Sequence, residues 1–179
     1  MKHSGLKFIL GWVICFLIRL IPFRAPNIEP VMATQMPFAK AYGWIGGFGF
    51  GFLSIVLFDV VVGKLGMWTW ITAAVYGLVG IGAYWFFRKR QASIKNFLVY
   101  GIIATLVYDA ITGLSIGTIF FGQPFMAALV GQIPFTAMHL LGNAAFSIVL
   151  SPSVYKWVIT NEKLEWSFIK KRFMNLVQS

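Results

Sequence analysis

Residues 30–62 read PVMATQMPFAKAYGWIGGFGFGFLSIVLFDVVV, and how often this stretch crosses a bilayer decides the architecture. Its 33 residues exceed what one crossing needs, since a helix rising ~1.5 Å per residue spans ~30 Å of hydrocarbon in about 20. Gly43, Gly46, Gly47, Gly49 and Gly51 loosen the middle and permit close helix approach, so a break there makes two short helices. Lys40 then falls inside a span and has to snorkel or face a polar interior.

The rest of the chain sets the same question as one of parity. Of 179 residues, 59% are hydrophobic and 17% aromatic, with fifteen Lys and Arg and five acids, too few polar side chains to cover a water-soluble domain. That composition excludes a soluble enzyme. Apolar runs at 6–23, 44–62, 67–87, 96–121 and 125–150 are each near the length of a crossing. Cations gather at Lys2 and Lys7, at Arg88-Lys89-Arg90 through Lys95, and at Lys156, Lys163, Lys170, Lys171 and Arg172. If all three groups are cytoplasmic, an even number of spans precedes residue 88. Splitting residues 30–62 satisfies this with six spans; five spans with the N-terminus outside is the alternative. The expected architecture is all-α, a six-helix transmembrane bundle over residues 1–152 followed by a basic amphipathic cytoplasmic tail over 153–179. The net charge of +10 is a signature of topology, because the cations punctuate apolar runs, and no nucleic-acid partner is expected. The N-terminus has the charged and apolar regions of a signal peptide but no small-x-small site after them, and reads as an uncleaved first span.

With so few acids, their positions inform. Asp59 and Asp109 both stand in apolar surroundings, in Phe58-Asp59-Val60-Val61-Val62-Gly63 and Tyr108-Asp109-Ala110-Ile111-Thr112-Gly113. The echo suggests two equivalent helix ends. In a six-span chain, Arg19, Asp59 and Asp109 share the outer third of their helices. A carboxylate costs at least ~2.5–3.5 kcal/mol at mid-bilayer, so these groups should face a cavity or one another. A polar ligand pocket and a packing ion pair are both open readings. The loop Arg24-Ala25-Pro26-Asn27-Ile28-Glu29-Pro30 offers Asn27 and Glu29 at the same side, as a cap or as a plain connector. Trp68 and its neighbours suit stacking on a flat ligand or an interfacial belt.

Farther along, His139 and Asn143 are four apart and share a helix face. If the last span starts near Phe125 they lie ~21–27 Å from its outer end, below the acids. A fresh start at Pro134 would raise them to within two turns of the end. The lone Cys15 supports neither disulfide nor thiolate site, and no HExxH helix or Gly-x-Ser-x-Gly elbow occurs. The glycines of 43–51 lack the Gly-Lys-Ser/Thr ending of a phosphate loop. No cofactor, no metal and no enzymatic activity are expected.

These residues resemble a family. The aromatic-Asp-x-x-x-Gly element at 108–113, Gly122-Gln123-Pro124-Phe125, Ile133-Pro134-Phe135, His139-Leu140-x-Gly142-Asn143 and Ser151-Pro152 look like the substrate-binding S component of energy-coupling factor (ECF) transporters, over roughly residues 6–155. The resemblance implies a six-helix protein of a prokaryotic cytoplasmic membrane that captures a small-molecule micronutrient, often a vitamin or its precursor, from outside. It implies coupling to a transmembrane partner and two ATPase subunits within the lipid bilayer. By position it places the pocket beneath the loop at Asn27 and Glu29, at the helix ends of Asp59 and Asp109. Where many S components present Ala-x-x-x-Ala on helix one to the partner, this chain has Gly11 and Cys15, expected to form a shallow outer groove for it. The candidate substrate-binding set is therefore Arg19, Asn27, Glu29, Asp59, Trp68, Asp109, His139 and Asn143.

Overall fold

A computed structural model describes residues 5–23 and 27–177, so Arg24, Ala25 and Pro26 of the loop, and Lys2, lie outside the described residues. Helix α1 is Gly5–Arg19. The next helical element, Val31–Val61, breaks at Gly43, whose φ of 77° and ψ of −168° suit only a residue without a side chain. There the chain reverses. Phe38 stacks on Phe50 with centroids 4.3 Å apart, and Gln35 Nε2 donates to the Gly47 carbonyl at 2.9 Å. In a straight helix residues twelve apart lie roughly 18 Å from each other. Residues 31–42 (α2) and 44–61 (α3) are thus an antiparallel pair, followed by α4 (Met67–Phe87), α5 (Ile94–Phe121), α6 (Phe125–Ile159) and α7 (Trp166–Val177). No strand occurs among the described residues.

Four stretches are long and apolar enough to cross a membrane, and the first is the one folded at Gly43, so with the shorter α1 the bundle has six membrane helices. The protein is an integral membrane protein. Helix α2 is its centre: Val31 through Ala39 are all buried, a helix enclosed on every side by the others, with Thr34 and Gln35 its buried polar residues. Backbones approach closely where α3 meets α4. A Cβ on Gly47 or Gly80 would strike the other's carbonyl group, and Gln35 Nε2 also donates to Tyr76 O at 2.7 Å, tying α2 to both.

The two ends of the bundle differ in charge. Lys40 lies just before the Gly43 turn, and its ammonium donates to the carbonyls of Phe87 and Arg90 at 2.8 and 2.9 Å, capping the end of α4. Lys7 donates to Ile159 O at 2.7 Å and pairs with Glu165 at 3.7 Å. The start of α1, the Gly43 turn, residues 88–95 and the end of α6 therefore share one cationic end, as six helices running alternately in the two directions require. Arg19, Glu29 and Asp59 share the other. Exposed tryptophans mark both ends, Trp44, Trp85 and Trp157 at the first, Trp68 and Trp70 at the second.

Two expectations are corrected. Gly11 and Cys15 face inward: Cys15 is fully buried, and a Cβ on Gly11 would stand 2.7 Å from the rings of Phe38 and Phe50. The outer stripe of α1 is bulky, formed by Ile9, Val13 and Leu17. Asp109 is not at a helix end, since α5 continues for twelve residues, the first seven of them as a π-helix at Ala110–Ile116; only Asp59, two residues from the end of α3, is. Of the two readings of the last span, the one starting near Phe125 holds, because Pro134 lies within continuous α6. Helical structure runs past Pro152 to Ile159.

Candidate functional site

At the end opposite the cations lies a cavity of about 200 Å³ whose wall includes Arg19, Asn27, Glu29, Asp59 and His139. Each is placed by a local feature. Arg19 is the last residue of α1; its Nε stands 3.1 Å from Glu29 Oε2, Nη1 donates to Ser54 O at 3.4 Å, and the guanidinium lies over the Phe58 ring at 3.7 Å. This pair closes the loop between α1 and α2 over α3. Asn27 takes φ 64°, a left-handed turn that asparagine tolerates better than most residues. The loop descends onto α6 because Gly142 leaves room for Ile28, whose Cα would be 3.0 Å from a Cβ there.

Asp59 is held by the turn into α4. Thr69 Oγ1 donates to Asp59 Oδ2 at 2.6 Å and accepts from Gly66 N at 3.1 Å, so one hydroxyl fixes the carboxylate and caps the new helix. Thr72, Tyr76, Tyr108, Phe135 and Ile55 complete the wall. Sequence reasoning missed these five. Tyr108 adjoins Asp109 in the repeated element and Phe135 belongs to the Ile133-Pro134-Phe135 element of the resemblance, the two signals that touched any of them.

The floor is a pair from α5 and α6. His139 Nδ1 lies 2.8 Å from Asp109 Oδ1, with both side chains about 3% exposed. The rings of Tyr108 and Phe135 meet His139 edge-on, at centroid distances of 5.7 and 6.2 Å. Depth is resolved by the hairpin itself: Asp109 lies twelve residues before the end of α5 and His139 fourteen after the start of α6, roughly 18 and 21 Å from the same turn. One turn deeper, Asn143 Nδ2 donates to Thr105 Oγ1 at 2.6 Å and contacts Met32 sulfur at 3.0 Å. Another turn on, Ser147 packs on Gly101. Asp109 with His139, Thr105 with Asn143 and Gly101 with Ser147 keep one antiparallel register, a polar seam four residues apart on each helix. Along it Asp109 Oδ2, His139 Nε2, Asn143 Oδ1 and Ser147 Oγ are buried with no hydrogen-bond partner.

Of the expected residues, five line the cavity, Asp109 backs His139, and Asn143 stands in the seam below. Asp109 also borders a lateral apolar groove of about 400 Å³ between α5 and α6. Trp68 stands apart: its ring stacks on Phe121 at 5.8 Å, at the tip of α5, and is half exposed at 47%. No group of three or more His, Cys, Asp and Glu fit to hold a metal ion occurs among the described residues.

Comparison with known proteins gives one informative match. No family model matches the sequence, and no solved structure matches it. A UPF0397 protein of Aliivibrio salmonicida is 30% identical over 149 residues, which cover 78% of this chain and 75% of that relative. At that identity and coverage of both chains, this membrane protein with its recessed polar cavity belongs to the UPF0397 family.

Proposed function

We propose that the protein is the substrate-capture subunit of a micronutrient importer, an S component of an ECF-type transporter in a prokaryotic cell membrane. One observation carries the reading: Arg19, Glu29, Asp59 and His139, from three helices and a loop, converge on one cavity at the end of the bundle opposite its cations. Inserting such groups is costly, and turning four of them on one open space favours a ligand over packing alone. By the positive-inside rule the end carrying Lys40 and residues 88–95 faces the cytoplasm, so the cavity opens outward. About 200 Å³ is less than the roughly 300–1,000 Å³ of sites for drug-sized ligands, which favours a compact cargo. The chain has no phosphate loop of its own, so a transmembrane partner and two ATPase subunits would supply the energy. It binds and releases; it does not catalyse.

The test is mass spectrometry of whatever small molecule copurifies with the wild-type protein and with Asp59→Asn. A compound present in the first and absent from the second, with both monodisperse, is the expected result. A wild-type protein that carries nothing, and whose production with its genomic neighbours raises uptake of no compound, would sink the reading. The buried charges would then serve helix packing.

A further inference from the structure

Asp59 is the unbalanced charge of the cavity wall. Arg19 is spent on Glu29, on Ser54 O and on the face of Phe58. Glu29 answers Arg19 and stands two residues before α2, at the end of that helix where partial positive charge collects. Asp59 receives only the Thr69 hydroxyl, and no cation lies within ion-pair distance of it among the described residues. A carboxylate recessed into a membrane domain is strongly favoured by a counter-charge at contact.

The rest of the cavity offers further groups to such a ligand. His139 is 2% exposed, and its Nδ1 stands 2.8 Å from Asp109 Oδ1. Its Nε2 is buried with no hydrogen-bond partner, a ring nitrogen left for a ligand to engage. Thr72 gives its hydrogen to Trp68 O at 2.7 Å and has only acceptor capacity left. Tyr76 and Tyr108, with ring centroids 4.6 Å apart, add the electron-rich faces that attract cations.

We propose that the cargo of this cavity is a small organic cation whose N–H groups bind Asp59, whose body packs on the aromatic wall and which reaches the unpartnered His139 Nε2. This rests on the capture reading above and adds the charge and donor pattern of the cargo.

Benzamidinium, benzamide and benzoate share one shape and differ in charge, and serve as probes. Each is titrated at millimolar concentration into the full-length protein in nanodiscs, with binding read by saturation-transfer NMR on the wild type and on Asp59→Asn. Benzamidinium should bind the wild type, benzamide more weakly and benzoate not detectably. Asp59→Asn should weaken benzamidinium at least about tenfold, the loss of a charge-assisted contact. If Asp59→Asn does not fold, the order of the three probes on the wild type decides. A preference for benzoate or benzamide, unchanged benzamidinium binding in a folded Asp59→Asn, or no binding of any probe overturns the proposal. An anionic cargo found by copurification overturns the charge assignment and leaves capture standing. Cation binding without any cargo or uptake removes the capture reading alone.

Discussion

Replacing Gly11 separates two orientations of the first helix. A Cβ at this position would sit 2.7 Å from two carbons of the Phe38 ring and one of Phe50, where carbon contacts settle at ~3.5–4.0 Å. The rings must therefore retreat by about 1 Å. They have nowhere to go: both are fully buried, stacked on each other, with Phe8 against Phe38 at 4.7 Å. Gly11→Ala should cost about 1–3 kcal/mol, the usual range for overpacking, and lower the melting temperature by roughly 5 °C for a chain of this length. Gly11→Leu adds three further carbons and should lift α1 from the hairpin, leaving only the Lys7 and Arg19 contacts at its ends. Melting by static light scattering in detergent, with fluorescence-detected size exclusion for folded yield, gives the readout. A Gly11→Leu protein with wild-type melting and ligand binding that has lost only energised uptake would refute the reasoning, since it would put Gly11 on the outer face, against a partner.

Three other outcomes are expected. Gly80→Ala drives its Cβ into Gly47 backbone and Gln35 Nε2, which cannot rotate away, so folded yield should collapse, while Gly49→Ala, with open space around it, should be neutral or stabilise by up to ~1 kcal/mol; equal melting of the two would contradict the packing. Glu29→Gln strips the half-buried Arg19 of its counter-charge and should lose about 1–3 kcal/mol, whereas Arg19→Met with Glu29→Gln should lose less than the two singles added, as a double-mutant cycle in thermal melts would reveal. In a Cys15→Ala background, cysteines at Gly5, Gln91 and Thr160 should react with impermeant maleimide from one side of the membrane and a cysteine at Lys64 from the other; labelling of Gly5→Cys and Gln91→Cys from opposite sides would restore the five-span architecture.

What could be read from the residues follows from how much each alternative costs in a bilayer. A break within residues 43–51 was legible because surplus length, glycine density and charge parity all pointed to it, though not which glycine would take it. Arg19, Asp59 and His139 stood out because an ionisable group in an apolar run has few places to go. The rotation of α1 was not legible: an apolar helix gives no amphipathic stripe, and Gly11 next to Phe38 has the same sequence as Gly11 next to a partner subunit. Thr72, Tyr76 and Phe135 were missed for a like reason, since hydroxyls and rings in such runs serve packing, belts and pockets alike. The pairing of Asp109 with His139 depended on α5 continuing as a π-helix past its acid and on Pro134 leaving α6 unbroken. Either feature alone would have set the two side chains at different depths.

The central helix is short, and that governs how cargo is met. Residues 31–42 rise only roughly 18 Å from the turn at Gly43, which leaves about 12 Å of a ~30 Å hydrocarbon layer above Val31. The cavity at its head is therefore a well whose floor lies beneath the lipid headgroups. Counter-ions that screen exposed charges over ~8 Å in physiological salt work in the water above it, and the small well has little space for them. Ionic strength should then alter how fast a charged cargo arrives far more than how long it stays, and dwell time should depend on how readily the well refills with water.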